Sequence, residues 1–260
     1  MKAYSKFANL YDVFMDDVPY EKWSGVISGL LADEGVKDGI VCELGCGTGT
    51  LTRMLADRGF DMIGIDSSEE MLQVAFDREM DFKNTDNEDA PARKPILYLN
   101  QDIRDFELYG TVRAFVSVCN TMNYLTGDGE LERVLKLVNN YLDPSGIFIF
   151  DFNTVHLYRD VIGDSTIAEN REDASFIWEN VYDEACRINE YDVTFFEKKE
   201  SGLFERFEEV HIQRAFELEE VKESIKKAGM RFLGAFDAES MEEPSEDSET
   251  ILVAAGEKGK

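Results

Sequence analysis

The chain has 260 residues, with 27 Lys and Arg against 54 Asp and Glu, a formal charge of −27. Apolar residues at 43% and aromatics at 12% are values of a folded globular protein, which excludes a disordered chain and fits one domain, or one domain carrying a subdomain. Such a charge repels nucleic acid and anionic bilayers unless a basic patch intervenes, and none is visible, so neither is expected as a partner.

Taken in chain order, Met1 to Asp17 alternates apolar and polar residues and lacks the hydrophobic block of a leader. Ile40 to Leu44 is a short apolar run ending on glycines, which predicts a buried strand, and Leu51, Met54, Leu55 and Arg58 then follow helical spacing. Asp61 to Ile65 is a second strand. Ser67 or Ser68 caps the next helix, which carries Met71, Leu72 and Ala75, with Glu69 and Glu70 where the helix dipole favours acids. Phe82 to Pro95 reads as an exposed loop. Ile96 to Leu99 and Ala114 to Cys119 are predicted strands, Leu131 to Leu142 a helix, and Pro144-Ser145-Gly146 a turn into a fifth strand, Ile147 to Phe152.

From Phe176 the period changes to two. Phe176, Trp178, Asn180 and Tyr182, then Tyr191, Val193 and Phe195, then Phe204, Arg206, Glu208 and Val210 predict a three-stranded antiparallel meander. Glu217 to Ala228 returns to helix and stops at Gly229. Met230 to Phe236 and Thr250 to Ala255 bracket an acidic loop, Met241 to Glu249, as a closing hairpin. The expected fold is α/β: a doubly wound, mostly parallel, seven-stranded Rossmann-like sheet with a small antiparallel β insertion. The expected domains are 1–155 with 216–260, and an inserted 156–215. The longest apolar run in the strand region, Gly146 to Phe150, is far too short to span a bilayer. Cysteines 42, 46, 119 and 186 form no CxxC pair, so no metal site or disulfide framework is indicated and a cytoplasmic protein is expected.

Val41-Cys-Glu-Leu-Gly-Cys-Gly-Thr-Gly-Thr50 carries the chemistry. Gly45, Gly47 and Gly49 fall where the first strand turns into a helix, so backbone can approach a ligand closely. Asp66 ends the second strand, near the spacing of about 20 residues expected for a carboxylate gripping ribose hydroxyls. A dinucleotide would set its pyrophosphate on the helix N-terminus, and Glu43 facing the turn would repel it. A ligand with a ribose, an adenine and a positive centre satisfies both carboxylates, as S-adenosylmethionine does.

Glu43-Leu-Gly-Cys-Gly-Thr-Gly49 with Gly64-Ile-Asp66-Ser-Ser68 resembles the cofactor signature of class I S-adenosylmethionine-dependent methyltransferases. Asn100-Gln-Asp102-Ile103 is similar to that family's adenine-contacting acidic motif. Cys119-Asn-Thr-Met-Asn-Tyr-Leu125 resembles the loop after strand four in its small-molecule members, and Phe7-Ala-Asn-Leu-Tyr11-Asp12 their N-terminal covering segment. The resemblance implies that Glu43 and the turn Gly45, Cys46 and Gly47 meet the amino-acid end of S-adenosyl-L-methionine. It implies that Asp66, followed by Ser67 and Met71, takes the ribose, that Asp102 and Ile103 take the adenine, that Cys119 and Asn120 line the methionine moiety, and that Tyr4 and Tyr11 close over it. The chain departs from the family pattern at Arg113-Ala114 and at Asn120, where relatives often carry Asp.

Methyl transfer is an in-line displacement in which positioning and desolvation supply most of the rate, and a base is needed only for a protonated acceptor. His211, with Tyr11 or Tyr124 as alternatives, is the candidate for that base or for holding the acceptor. The meander would supply an aromatic wall from Phe176, Trp178, Tyr182, Phe195 and Phe204. The implied partner is a small-molecule methyl acceptor, an amine or amino sugar by resemblance, with a carboxylate or hydroxyl open on the residues alone. Two other readings stay open at this point: a nicotinamide-dependent oxidoreductase, and an S-adenosylmethionine-binding scaffold without turnover.

Overall fold

The computed structural model describes residues 4, 7–84 and 93–259. Ala8–Phe14 (α1) and Tyr20–Asp33 (α2) lead into a central sheet. The sheet strands are β1 (Ile40–Leu44), β2 (Asp61–Asp66), β3 (Leu97–Asn100), β4 (Val112–Ser117) and β5 (Leu142–Asn153). Between them run α3 (Thr50–Asp57), α4 (Glu69–Asn84) and α5 (Glu130–Tyr141). The predicted loop from Phe82 to Pro95 lies outside the described residues over 85–92.

A second sheet follows: β6 (Thr166–Asn170), β7 (Ala174–Asp183), β8 (Ile188–Lys198) and β9 (Phe204–Arg214). The chain then returns through α6 (Leu218–Lys227) to β10 (Arg231–Asp237) and β11 (Thr250–Gly256). The seven-stranded sheet has the order β10-β11-β5-β4-β1-β2-β3, parallel except where β11 pairs antiparallel with both β5 and β10. Its central strands read as continuous apolar runs because helices cover both faces. Phe115, Phe148, Phe150 and Val253 fill one face, and Val116, Ile147, Ile149 and Leu252 the other, all buried. The strand order reverses between β1 and β4, which opens a crevice at their carboxyl ends.

The insertion is four-stranded, not three. The extra strand, Thr166–Asn170, is a mostly exposed edge with no apolar alternation to announce it. The phase of β9 is also corrected. Pairing sets Phe207 opposite Phe195, Glu209 opposite Val193 and His211 opposite Tyr191, so Phe207, Glu209, His211 and Gln213 form its buried row. Phe204, Arg206 and Glu208 face outward, and Phe204 is half exposed. The inner face takes α1 as its cover: Phe7 stacks on Phe195 at 4.4 Å between ring centroids, and Phe14 meets Phe176 at 5.0 Å. At the neck, Thr154 pairs with Phe216, bringing the two connections of the insertion side by side. No helix among the described residues is long and apolar enough to cross a membrane.

Candidate functional site

A cavity of about 470 Å³ occupies the crevice. It is lined by Tyr4, Tyr11, Gly45, Gly47, Asp66, Ser67, Met71, Asp102, Ile103 and Cys119 of the predicted site residues. Glu43 and Cys46 instead line a narrow recess of about 30 Å³, which shares Tyr11, Gly45, Gly47 and Cys119 with the larger space. Asn120 and His211 line neither. Ser68, Arg104, Thr121 and Leu125 of the cavity wall, and Tyr20, Thr48, Thr50, Leu51 and Val118 of the recess, were not among the candidate site residues. Thr121 and Leu125 lie within the motif stretch after β4, and Arg104 is the residue after Ile103, so adjacency was the available signal.

The glycine turn is built by backbone conformation. Gly45, Gly47 and Gly49 have φ of +71, +52 and +74, a left-handed region that side chains disfavour. The N–H groups of Gly45 and Cys46 donate to the carbonyl of Ile65 at 2.8 and 3.0 Å. Asp66 braces the turn from β2: the Gly47 N–H donates to Oδ2 and the Ser68 N–H to Oδ1, each at 2.8 Å. Ser68, not Ser67, caps α4, its hydroxyl accepting from the Met71 N–H at 3.1 Å. A Cβ on Gly47 would meet nothing within 4 Å, so the turn is open there.

Three carboxylates have different environments. Glu43 is 3% exposed and accepts from the Thr52 hydroxyl; burial, with the charge of Asp66, pushes its pKa up to about 8. Such a carboxyl would be relieved by a positive ligand group in the recess. Asp102 is gripped by Arg104, whose Nε donates to its oxygens at 2.9 and 3.1 Å, and this pairing holds Asp102 below the usual carboxylate range. Asp151, in β5, is buried and raised to about 7 although it accepts N–H bonds from Asn120 and Cys119.

A network of tyrosines forms the wall toward the second sheet. Tyr124 shares hydrogen bonds with the Tyr4 hydroxyl at 2.8 Å, the Tyr191 hydroxyl at 3.2 Å and His211 Nδ1 at 2.9 Å. Glu209, fully buried, accepts from the N–H of Tyr4 at 2.6 Å and of Phe7 at 3.2 Å, tying the N-terminal segment to β9. His211 stands behind Tyr124, and burial lowers it to about 4, so it is neutral at physiological pH. Burial raises Tyr11 well above its ordinary value, which leaves it a hydrogen-bond donor and not a base. Cys119 Sγ lies 3.6 Å from the Tyr20 hydroxyl and is raised to about 12, first by burial.

A model of a methyltransferase domain matches residues 41–146. A putative methyltransferase, YqeM of Bacillus subtilis, is 34% identical over 97% of the chain and 96% of its own length. An S-adenosylmethionine-dependent methyltransferase structure from Clostridium acetobutylicum superposes with a TM-score of 0.85 at 26% identity, covering 99% of the chain and all of the other. A dTDP-3-amino-3,6-dideoxy-alpha-D-glucopyranose N,N-dimethyltransferase from Streptomyces fradiae is 26% identical over 56% of the chain and 52% of its own length.

Proposed function

The chain belongs to the class I S-adenosylmethionine-dependent methyltransferases, and from that membership we propose that it methylates a small-molecule amine, an amino sugar being the favoured kind. Membership leaves no ground for the oxidoreductase or for the scaffold without turnover. One observation carries the choice of an amine. Among the described residues Arg104 is the single basic one lining the cavity and it is engaged by Asp102, whereas Asp66 and Asp102 line the same space and Glu43 the adjoining recess. Among the described residues an acceptor carboxylate would find no cation other than the engaged Arg104, while an amine would be drawn in by the surrounding field. Similarity to the amino-sugar enzyme of Streptomyces fradiae supports the same class.

S-adenosylmethionine, when bound, supplies a methyl group on a positively charged sulfur. The residues fit it. Asp66 would take the ribose hydroxyls, Asp102 and Ile103 the adenine, and Glu43 with the turn Gly45-Cys46-Gly47 the amino-acid end. Ser67 and Met71 would flank the ribose, Cys119 the methionine chain, and Tyr4 and Tyr11 would cover the site. Asn120, turned toward Gln213 of β9, would act from outside the cavity. We assign residues 156–215 to an acceptor-facing subdomain on the body formed by 1–155 and 216–260. His211 would act through Tyr124, accepting from its hydroxyl and so fixing where that hydroxyl points. A neutral imidazole suits this role, because a protonated one could not accept.

Three outcomes are expected. Incubated with S-adenosylmethionine, glucosamine, ethanolamine or spermidine should give S-adenosylhomocysteine above the no-acceptor background, while salicylate and catechol should not; the reverse pattern would overturn the amine reading. His211→Ala should lower turnover by about 10- to 100-fold, less than the roughly 10²–10⁴ of a group that transfers the proton itself, because it acts through Tyr124, with cofactor affinity unchanged; equal turnover removes His211 from the mechanism. Cofactor affinity should also depend on pH through Glu43. The ammonium of the cofactor needs an ionised carboxylate, and ionisation occurs near pH 8. Binding should therefore tighten from pH 6 to 8 by up to about tenfold per unit, and a calorimetric series with Glu43→Gln should be flat over that range. The sign for folding is opposite. Glu43 is raised above its unfolded value, so the folded state holds the extra proton and this contribution to stability declines as pH rises from about 4.3 toward 8.

A further inference from the structure

The turn after β4 is held from two sides. Cys119 and Asn120 both adopt left-handed backbone, with φ of +58 and +53, a conformation uncommon outside glycine and sustained only where the surroundings demand it. Their successive N–H groups converge on one carboxylate: Cys119 donates to Asp151 Oδ2 at 3.0 Å and Asn120 to Oδ1 at 2.8 Å. Asp151 sits in β5, 1% exposed. On the other side the turn is bonded to β9. The Gln213 amide donates to Asn120 Oδ1 at 3.2 Å, Asn123 donates to the Arg214 carbonyl at 2.7 Å, and Tyr124 meets His211. The same turn presents Cys119, Thr121 and Tyr124 to the cavity.

On the reading of that cavity as the methyl-transfer site, we infer that Asp151 is a positioning residue for the reaction: its carboxylate fixes the turn that holds the cavity wall and the second sheet in register. A charged acceptor makes the stronger bond to each N–H. An amide in its place offers one oxygen and turns an NH₂ toward the other N–H, where donor faces donor. The ionisable groups coupled to Asp151 are Cys119 in the turn and Tyr158 in the π-helical turn Leu157–Ile162; both are kept protonated at neutral pH by burial. β11 places Leu252 beside it. Burial raises Asp151 to about 7, so the clamp strengthens as pH rises through neutrality.

The test begins on the ligand-free protein by nuclear magnetic resonance, which needs no acceptor. The Cys119 and Asn120 amide signals should lie downfield of their Asp151→Asn positions at pH 9 and move together with one midpoint near pH 7; signals at pH 9 that Asp151→Asn leaves in place would overturn the clamp. In Asp151→Asn the shift should vanish, the Gln213 side-chain amide should shift with it, and the Gly47 and Ser68 amides bound to Asp66 should stay in place. With S-adenosylmethionine and spermidine or glucosamine, the variant should release S-adenosylhomocysteine at least tenfold more slowly, a larger loss than any weakening of cofactor binding through Cys119. A folded variant with wild-type turnover overturns the positioning role. If Asp151→Asn does not fold, Gln213→Ala, which removes one of the turn's three bonds to β9 and spares the clamp, should show a smaller loss of turnover in the same direction, and wild-type turnover there overturns the registering of the turn against β9. Absence of cofactor binding by wild type would sink the functional reading and leave the amide titration standing.

Discussion

Asp66→Ala is expected to weaken S-adenosylmethionine binding by at least a hundredfold. The carboxylate has two tasks in this structure. Inward, it accepts from the N–H groups of Gly47 and Ser68, each at 2.8 Å, and so holds the glycine turn and the start of α4 together. Outward, it lines the cavity where two ribose hydroxyls would donate to it. Bonds to a charged group contribute about 1.5–3 kcal/mol each, so losing two removes about 3–6 kcal/mol, or roughly 10² to 10⁴ in affinity. The orphaned N–H groups should also lower the melting temperature. Calorimetric titration beside a melting curve separates the effects, and an affinity within threefold of wild type would remove Asp66 from the cofactor site.

Gly45→Ala should be far more damaging than the same methyl added at Gly47. Gly45 has φ +71, and a Cβ there would lie 2.4 Å from both Cγ2 and Oγ1 of Thr121. Left-handed backbone costs a non-glycine residue about 1–2 kcal/mol, and overpacking adds about 1–3 kcal/mol. Thr121 cannot move freely, because its hydroxyl donates to the Val118 carbonyl at 3.1 Å. The expected loss is about 2–5 kcal/mol, read by urea unfolding. Gly47→Ala is the contrast: its Cβ meets nothing within 4 Å, so only backbone strain remains. Thr121→Gly should rescue part of the Gly45→Ala loss and none of the Gly47→Ala loss. Equal losses at the two glycines would show that close approach to Thr121 is not the cause.

The parts of the fold legible in the sequence are those where one physical demand governs the pattern. β1, β4, β5 and β11 are covered on both faces, so they read as apolar runs. The glycine turn was legible because left-handed backbone leaves glycines at fixed intervals. β9 was misphased because its buried row holds Glu209, His211 and Gln213, whose burial is made tolerable by partners distant in sequence: the N–H groups of Tyr4 and Phe7, Tyr124, and Tyr158. No local pattern announces such partners. The edge strand Thr166–Asn170 and the helix Tyr20–Asp33 were missed as well, the first because it is mostly exposed. Within the site, Asp66 and Glu43 stood out by their spacing from the glycines. Arg104 on Asp102, and Asp151 under Cys119 and Asn120, did not, since neither contact requires a recognisable residue type at a fixed interval.

The most direct measurement is a calorimetric titration of the wild-type protein with S-adenosylmethionine at pH 7, repeated with NADH and in two buffers of different ionisation enthalpy. The account predicts one-to-one binding of S-adenosylmethionine, proton release as the cofactor ammonium ionises Glu43, and no binding of NADH. Folded protein that leaves S-adenosylmethionine unbound, or that takes NADH in its place, would contradict it.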